Sequence, residues 1–318
     1  MKYIKEYREG DYCKGIYLCR SKQVLTAKTG KTYYSLTLQD KTGTVDAKVF
    51  DLNSGIDEFD AMDYIDVTGQ VSSFQGNIQW KLSRIRKCDS DEYSIDDYMM
   101  TSKYNRDEMY AELMSLMSCV KNVYLRKLID MYFKDNASFI KMFKNHSAAK
   151  SVHHGFIGGL LQHTLSVVRM CNYLGDHYEI LDKELLMTAA LFHDVGKINE
   201  LAQFPASDYT DEGQLLGHIF IGAEMLRASI RTIPLFPKKL ADELVHCILA
   251  HHGELEFGSP KKPAIAEAFA LNMADNTDAK LQIFTEVFES AGDKMEWLGF
   301  NRMLDSNIRQ TYGTRFNK

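Results

Sequence analysis

Two periodicities divide the chain. Over the first ninety residues apolar and polar positions alternate in short runs: Tyr12 to Leu25, Thr32 to Gln39, Thr44 to Phe50, Tyr64 to Ser72 and Asn77 to Ile85. Turn-forming stretches such as Lys-Thr-Gly, Asp-Lys-Thr-Gly and Gln-Gly-Asn bound most of them. Five short strands predict a small β-barrel. In the second and third runs Tyr34, Leu36 and Leu38 share one parity, as do Val45, Ala47 and Val49, so these side chains are expected to point inward. Trp80 keeps phase with Ile78 and Leu82 and reads as core. From about Asp91 the period changes to 3.6, with few Gly or Pro, and everything onward reads as helical. Met109, Met114 and Met117 fit the core of such a helix rather than a ligand groove.

The expected organisation is a multidomain α+β protein: a barrel over 1–90, a helical linker over 91–150, an all-α bundle over 151–290 and a C-terminal helical tail over 291–318. The tail, from Trp297 to Phe316, is apolar enough to dock on the body or on a second copy, which allows a homo-oligomer.

The outward parity of the barrel carries Tyr33, Ser35, Thr37, Asp46, Lys48 and Phe50. A five-stranded OB barrel binds oligonucleotides on such a face, by ring stacking and phosphate contact, which makes Tyr33, Lys48 and Phe50 candidate nucleic-acid contacts. The alternative is that Tyr33 and Phe50 cover a barrel edge or pack on the next domain.

Composition narrows the setting. The chain has 318 residues, 45% of them hydrophobic and 25% charged, enough for real cores and unlike a disordered chain. No apolar run approaches the roughly 18 residues of a membrane-spanning helix, so no membrane association is expected. The N-terminal stretch lacks the apolar segment of an export signal, and the six cysteines form no CxxC pair. Both point to a cytoplasmic protein with reduced thiols. Net charge is −5, which argues against a general polyanion binder, but 14 Lys and Arg face 11 Asp and Glu through Cys88, against 24 and 32 beyond it. A mildly basic front and an acidic rear suit a nucleic-acid-handling module joined to a carboxylate-rich site.

The chemistry lies in an ordered series: His163, the pair His193 and Asp194, His218, the pair His251 and His252, then Asp275. Each sits in or at the end of a separate helical segment with apolar neighbours, so each is expected to face the bundle interior, where a buried polar group needs a partner. One shared metal centre would satisfy them all. Imidazoles and carboxylates without thiolate suit divalent Mn, Fe, Co or Zn rather than a structural zinc, and an Asp beside a His can bridge two ions. Two such ions would activate water and stabilise charge on a phosphoryl group. Lys197, four residues after His193, would lie on the same helical face and could touch a phosphate oxygen or the leaving group; otherwise it is a helix-end lysine.

This ordered His, His-Asp-x-x-Lys, His, His-His, Asp pattern resembles the HD-domain metal-dependent phosphohydrolases. The resemblance implies one metal site from His163, His193, Asp194 and Asp275, and a second from His218, His251 and His252 with Asp194 shared. It leaves open which of His251 and His252 ligates. Together with the N-terminal barrel, the segment Ser-Val-His-His-Gly-Phe-Ile-Gly-Gly-Leu-Leu-Gln-His and the ending Ala-Asp-Asn-Thr-Asp-Ala-Lys-Leu, the chain resembles the YhaM-type 3′→5′ exoribonucleases over nearly its whole length. That implies an OB barrel holding substrate, an HD bundle, manganese dependence and release of nucleoside 5′-monophosphates from single-stranded RNA. Single-stranded DNA is an open second substrate, because no readable contact reports the 2′-hydroxyl. His153 and His154, before the Gly-Gly turn, and the pair Lys261 and Lys262 are candidate contacts to the phosphate backbone. A cyclic dinucleotide phosphodiesterase is the enzymatic rival, but the loop after His252 lacks the Gly-Tyr-Pro signature of that branch. A nucleotide phosphohydrolase and a non-catalytic RNA-binding protein with structural metals are the others.

Overall fold

The alternating runs form five strands, β1 (Tyr12–Thr26), β2 (Thr32–Asp40), β3 (Gly43–Val49), β4 (Tyr64–Phe74) and β5 (Asn77–Lys87). They appear in a computed structural model that describes residues 2–27, 30–74, 77–149, 155–206, 208–291 and 296–313. The strands close a barrel in the order β1-β2-β3-β5-β4, with β3 and β5 parallel and the other neighbours antiparallel. Closure requires bending, and β1 shifts register between Cys19 and Ser21 while β4 does so between Thr68 and Gly69. A Cβ at Gly69 would lie 2.3 Å from the Lys81 carbonyl oxygen, so the second bulge needs glycine.

Parity sorts the faces as expected. Leu36, Leu38, Val45, Ala47 and Val49 are buried, and Trp80 sits at the centre with Tyr7 and Tyr17 edge-on at 4.8 and 4.9 Å. Removing that much apolar surface from water is the main force holding so small a barrel closed.

The chain separates into two units, Met1–Thr101 and Ser102–Lys318. The second contains α1 (Arg106–Leu116), α2 (Val123–Phe133), α3 (Ala137–Asn145), α4 (Gly159–His177), α5 (Lys183–Phe192), α6 (Lys197–Glu200), α7 (Asp211–Thr232), α8 (Lys238–Ala250) and α9 (Ala266–Ala291). Side-chain oxygens of Asn105, Asn122, Asn136, Asp182 and Thr210 accept first-turn backbone N–H groups and start α1, α2, α3, α5 and α7. One continuous core joins the helices, from Leu113 and Phe133 through Leu165 and Phe192 to Leu244 and Leu271. No helix among the described residues is long and apolar enough to cross a membrane.

Two helical expectations are corrected. The stretch after the barrel is not helical from Asp91: it makes turns and a short 3-10 segment (Ile95–Asp97), and α1 begins only where Asn105 can cap it. The described part of the tail is not a helix but a hairpin of β6 (Trp297–Asn301) and β7 (Ser306–Arg309), with Gly299 at φ +96° and Asp305 at φ +47°. Those two left-handed positions are hairpin features that the apolar content of the tail obscures.

Candidate metal centre

Five helices deliver the ordered histidines and aspartates to one place. His163 lies inside α4, His193 ends α5 with Asp194 following it, His251 ends α8 with His252 following it, and Asp275 lies inside α9. His218 enters through a break in α7, where Gly217 adopts φ +72°, ψ +154°. The turn after Asp194 passes against this break: a Cβ at Gly196 would lie 2.0 Å from the His218 carbonyl oxygen. Glycine there lets the His-Asp turn and His218 approach one another.

The ligand atoms fall into two groups, His163 with His193 and Asp275, and His218 with His251 and His252. Within each group they lie within 4.8 Å of one another. Asp194 stands between the groups. Its Oδ2 is 3.4 Å from Nε2 of both His163 and His193, while its Oδ1 is 3.6 Å from His218 Nε2 and 3.7 Å from His251 Nε2. These separations are long for hydrogen bonds and suit donor atoms arranged around a cation.

Every imidazole is held through Nδ1. His193, His251 and His252 donate to the carbonyl oxygens of Ala190, Ile248 and Phe257 at 2.8, 2.7 and 2.8 Å. His163 and His218 meet the carboxylates of Asp278 and Glu200 at 2.7 and 2.9 Å. A carbonyl can only accept, so Nδ1 carries the proton and the lone pair of Nε2 faces the centre, the arrangement that fixes metal-binding histidines. Asp194 Oδ1, His218 Nε2 and His251 Nε2 are buried, and among the described residues none of the three finds a hydrogen-bond partner. Buried acceptors converging without a donor are expensive, and a cation satisfies them together. The donor set therefore fits a divalent metal pair.

Charge states agree. Burial tends to raise the Asp194 pKa, but Lys197 and His193 outweigh it and hold the carboxyl well below the usual range. Burial and the neighbouring His252 push His251 down, and burial with His218 does the same for His252, so both imidazoles are neutral. His163 goes the other way: burial opposes its charge, yet Asp275 and Asp278 lift its pKa to about 10. Without a cation a proton takes that place.

Lys197 does not continue the helix of His193. It opens α6 after a turn, is largely buried, and its Nζ lies 2.6 Å from Asp194 Oδ2. On the barrel, Tyr33 and Phe50 are neighbours with ring centroids 5.4 Å apart, Phe50 is 53% exposed, and Lys48 donates to Ser35 Oγ two residues further along the same two strands. Lys261 is exposed, and Lys262 pairs with Glu254 at 2.5 Å. His153 and His154 lie outside the described residues.

Three supporting residues escape a reading based on ligands alone. Asp278 follows Asp275 by three and so shares its helical face, a signal present in the sequence. Asn272, whose amide donates to the His251 carbonyl at 2.7 Å, precedes Asp275 by three and carries the same signal, whereas Glu200 carries none.

Comparison with known proteins agrees with both units. Residues 160–280 match the HD domain family, and residues 19–87 match an OB-fold nucleic acid binding domain. The chain is 33% identical over 291 residues to the 3′-5′ exoribonuclease YhaM of Bacillus velezensis, covering 91% of each chain. It is 32% identical over 291 residues to that of Bacillus subtilis and 31% over 290 to that of Listeria innocua, again covering 91% of each. On identity and coverage of this extent, through barrel and metal centre alike, the chain belongs to the YhaM family of 3′-5′ exoribonucleases.

Proposed function

We propose that this protein is a metal-dependent exoribonuclease that shortens single-stranded RNA from its 3′ end and releases nucleoside 5′-monophosphates. The observation that carries this reading is Asp194, whose two oxygens face two separate groups of donor atoms. His163, His193 and Asp275 would hold one cation, His218, His251 and His252 the other, and Asp194 would span both, with manganese the ion. Such a pair would supply an activated water and would neutralise charge on the scissile phosphate.

The chain's own groups prepare that site. Nδ1 anchors hold five imidazoles in place before substrate arrives, so little reorganisation accompanies the reaction. Lys197 keeps Asp194 ionised and oriented; an ammonium has three donors, of which Asp194 engages one, and another can reach a phosphate oxygen. Asp194 and Lys197 are accordingly the catalytic pair. Tyr33 and Phe50 offer rings on which bases stack and Lys48 a charge for the backbone, while Lys261 and Lys262 add positive charge beyond His252.

The test begins with chelator-stripped protein, restored Mn²⁺ and 5′-labelled single-stranded RNA. A ladder shortening from the 3′ end with release of 5′-monophosphates is expected. Intact RNA beside a cleaved cyclic dinucleotide would overturn the substrate assignment. Truncating Tyr33 and Phe50 to alanine is expected to raise KM for long RNA about tenfold or more, on a stacking value of about 1–3 kcal/mol per base, and to leave kcat on a dinucleotide unchanged. An unchanged KM would remove the two rings from substrate binding.

A further inference from the structure

The two groups of ligands are not alike in charge. One contains Asp275 as a carboxylate of its own; the other consists of three imidazoles and borrows charge from Asp194. A divalent cation is held more weakly by neutral donors unless negative charge lies behind them. Glu200 lies behind His218. Its Oε1 accepts from the His218 backbone N–H at 3.0 Å and from His218 Nδ1 at 2.9 Å.

Its placement is tightly constrained. Glu200 ends α6 and is 9% exposed. A Cβ at Gly213 would meet its carbonyl oxygen at 2.1 Å, and Gly217 opens α7 so that the helix restarts at His218 with its first N–H directed at the carboxylate. One oxygen thus caps the restarted helix and orients the imidazole, and a negative charge at a helix start is favourable on its own account.

We propose that Glu200 is the positioning residue for the His218, His251 and His252 site, setting the affinity of its cation, so that the two sites load unequally and the second depends on Glu200. The proposal rests on the two-cation reading above. Glu200→Gln keeps the shape and an acceptor oxygen for both N–H groups and removes only the charge. Glu200→Asp keeps the charge but draws it back by one methylene, which disturbs the cap.

Mn²⁺ binding to the full-length protein, followed by calorimetry and by the electron paramagnetic resonance of coupled ion pairs, separates these effects. Wild-type protein is expected to bind two ions. Glu200→Gln should retain the first with unchanged affinity and weaken the second about tenfold or more. Glu200→Asp should lie between them, since charge rather than shape governs affinity. A second ion weakened more by Asp than by Gln would indicate a merely structural role and overturn the proposal. An unchanged second affinity in both variants, with wild type binding two ions, would overturn the proposal alone. A wild-type protein binding one ion would overturn the two-cation reading and the proposal with it. Should the Gln variant not fold, the Asp variant carries the test by itself: a second ion weakened about tenfold or more although the charge is kept overturns the proposal.

Discussion

Replacing Asp194 with asparagine is expected to lower kcat about a thousandfold or more, without loss of the fold. The substitution keeps the side-chain volume and removes the charge whose two oxygens face His163 and His193 on one side and His218 and His251 on the other. Removing one preorganised electrostatic group from an active site costs about 10²–10³ in rate, and Asp194 serves two groups of ligands at once. There is a second consequence. Lys197 is largely buried against Asp194, and an ammonium left there without a counter-charge destabilises by about 3–5 kcal/mol. The melting temperature should therefore fall with the activity. Adding Lys197→Met to Asp194→Asn separates the two effects: stability should recover and turnover should not. Recovery of both would place Asp194 in a structural role and remove it from the catalytic machinery. Steady-state kinetics and thermal melts of the two variants decide it.

Metal removal is the second large effect, and it should act on one unit only. Asp194 Oδ1, His218 Nε2 and His251 Nε2, the partnerless acceptors that converge on the centre, lie in the helical unit, so a chelator is expected to lower the melting temperature of Ser102–Lys318 and leave the barrel unchanged. At a thousand times its dissociation constant a bound ion contributes about 4 kcal/mol. The effect depends on pH with a definite sign. His163 has its pKa raised from 6.5 to about 10 by Asp275 and Asp278 against the opposing effect of burial, so in metal-free protein its proton contributes stability below 6.5 that is lost as pH rises toward 10. A cation needs the same Nε2 lone pair and must expel that proton, so its apparent affinity rises with pH over the same window. Both trends make the metal-dependent shift larger at pH 8 than at pH 6.5. Calorimetric melts at the two values, with and without Mn²⁺, measure it, and a shift that shrinks with pH would contradict the assignment of His163 as a ligand.

Much of this was legible in the sequence because it depends on local rules. Strand parity is a period of two, so burial of Leu36, Leu38, Val45, Ala47 and Val49 needs no knowledge of the barrel's closure. The seven candidate ligands were legible for a different reason: a polar residue flanked by apolar ones must find a partner, and a series of them in separate helices implies a shared one. What stayed hidden depends on distant neighbours. Glu200 looks like any surface glutamate until the break at Gly217 brings His218 against it. The helical reading of Lys197 assumed that α5 continues, whereas the turn after Asp194 interrupts it so that the lysine meets Asp194 itself. The tail was misread because its apolar residues suit a helix and a hairpin equally, and two left-handed backbone positions decide between them.

The central claim is that two cations flank Asp194, and anomalous scattering from crystals grown with Mn²⁺ tests it most directly. The account requires two peaks on opposite sides of the Asp194 carboxylate, one among His163, His193 and Asp275 and the other among His218, His251 and His252. A single peak, or peaks that leave Asp194 outside their coordination, would contradict it.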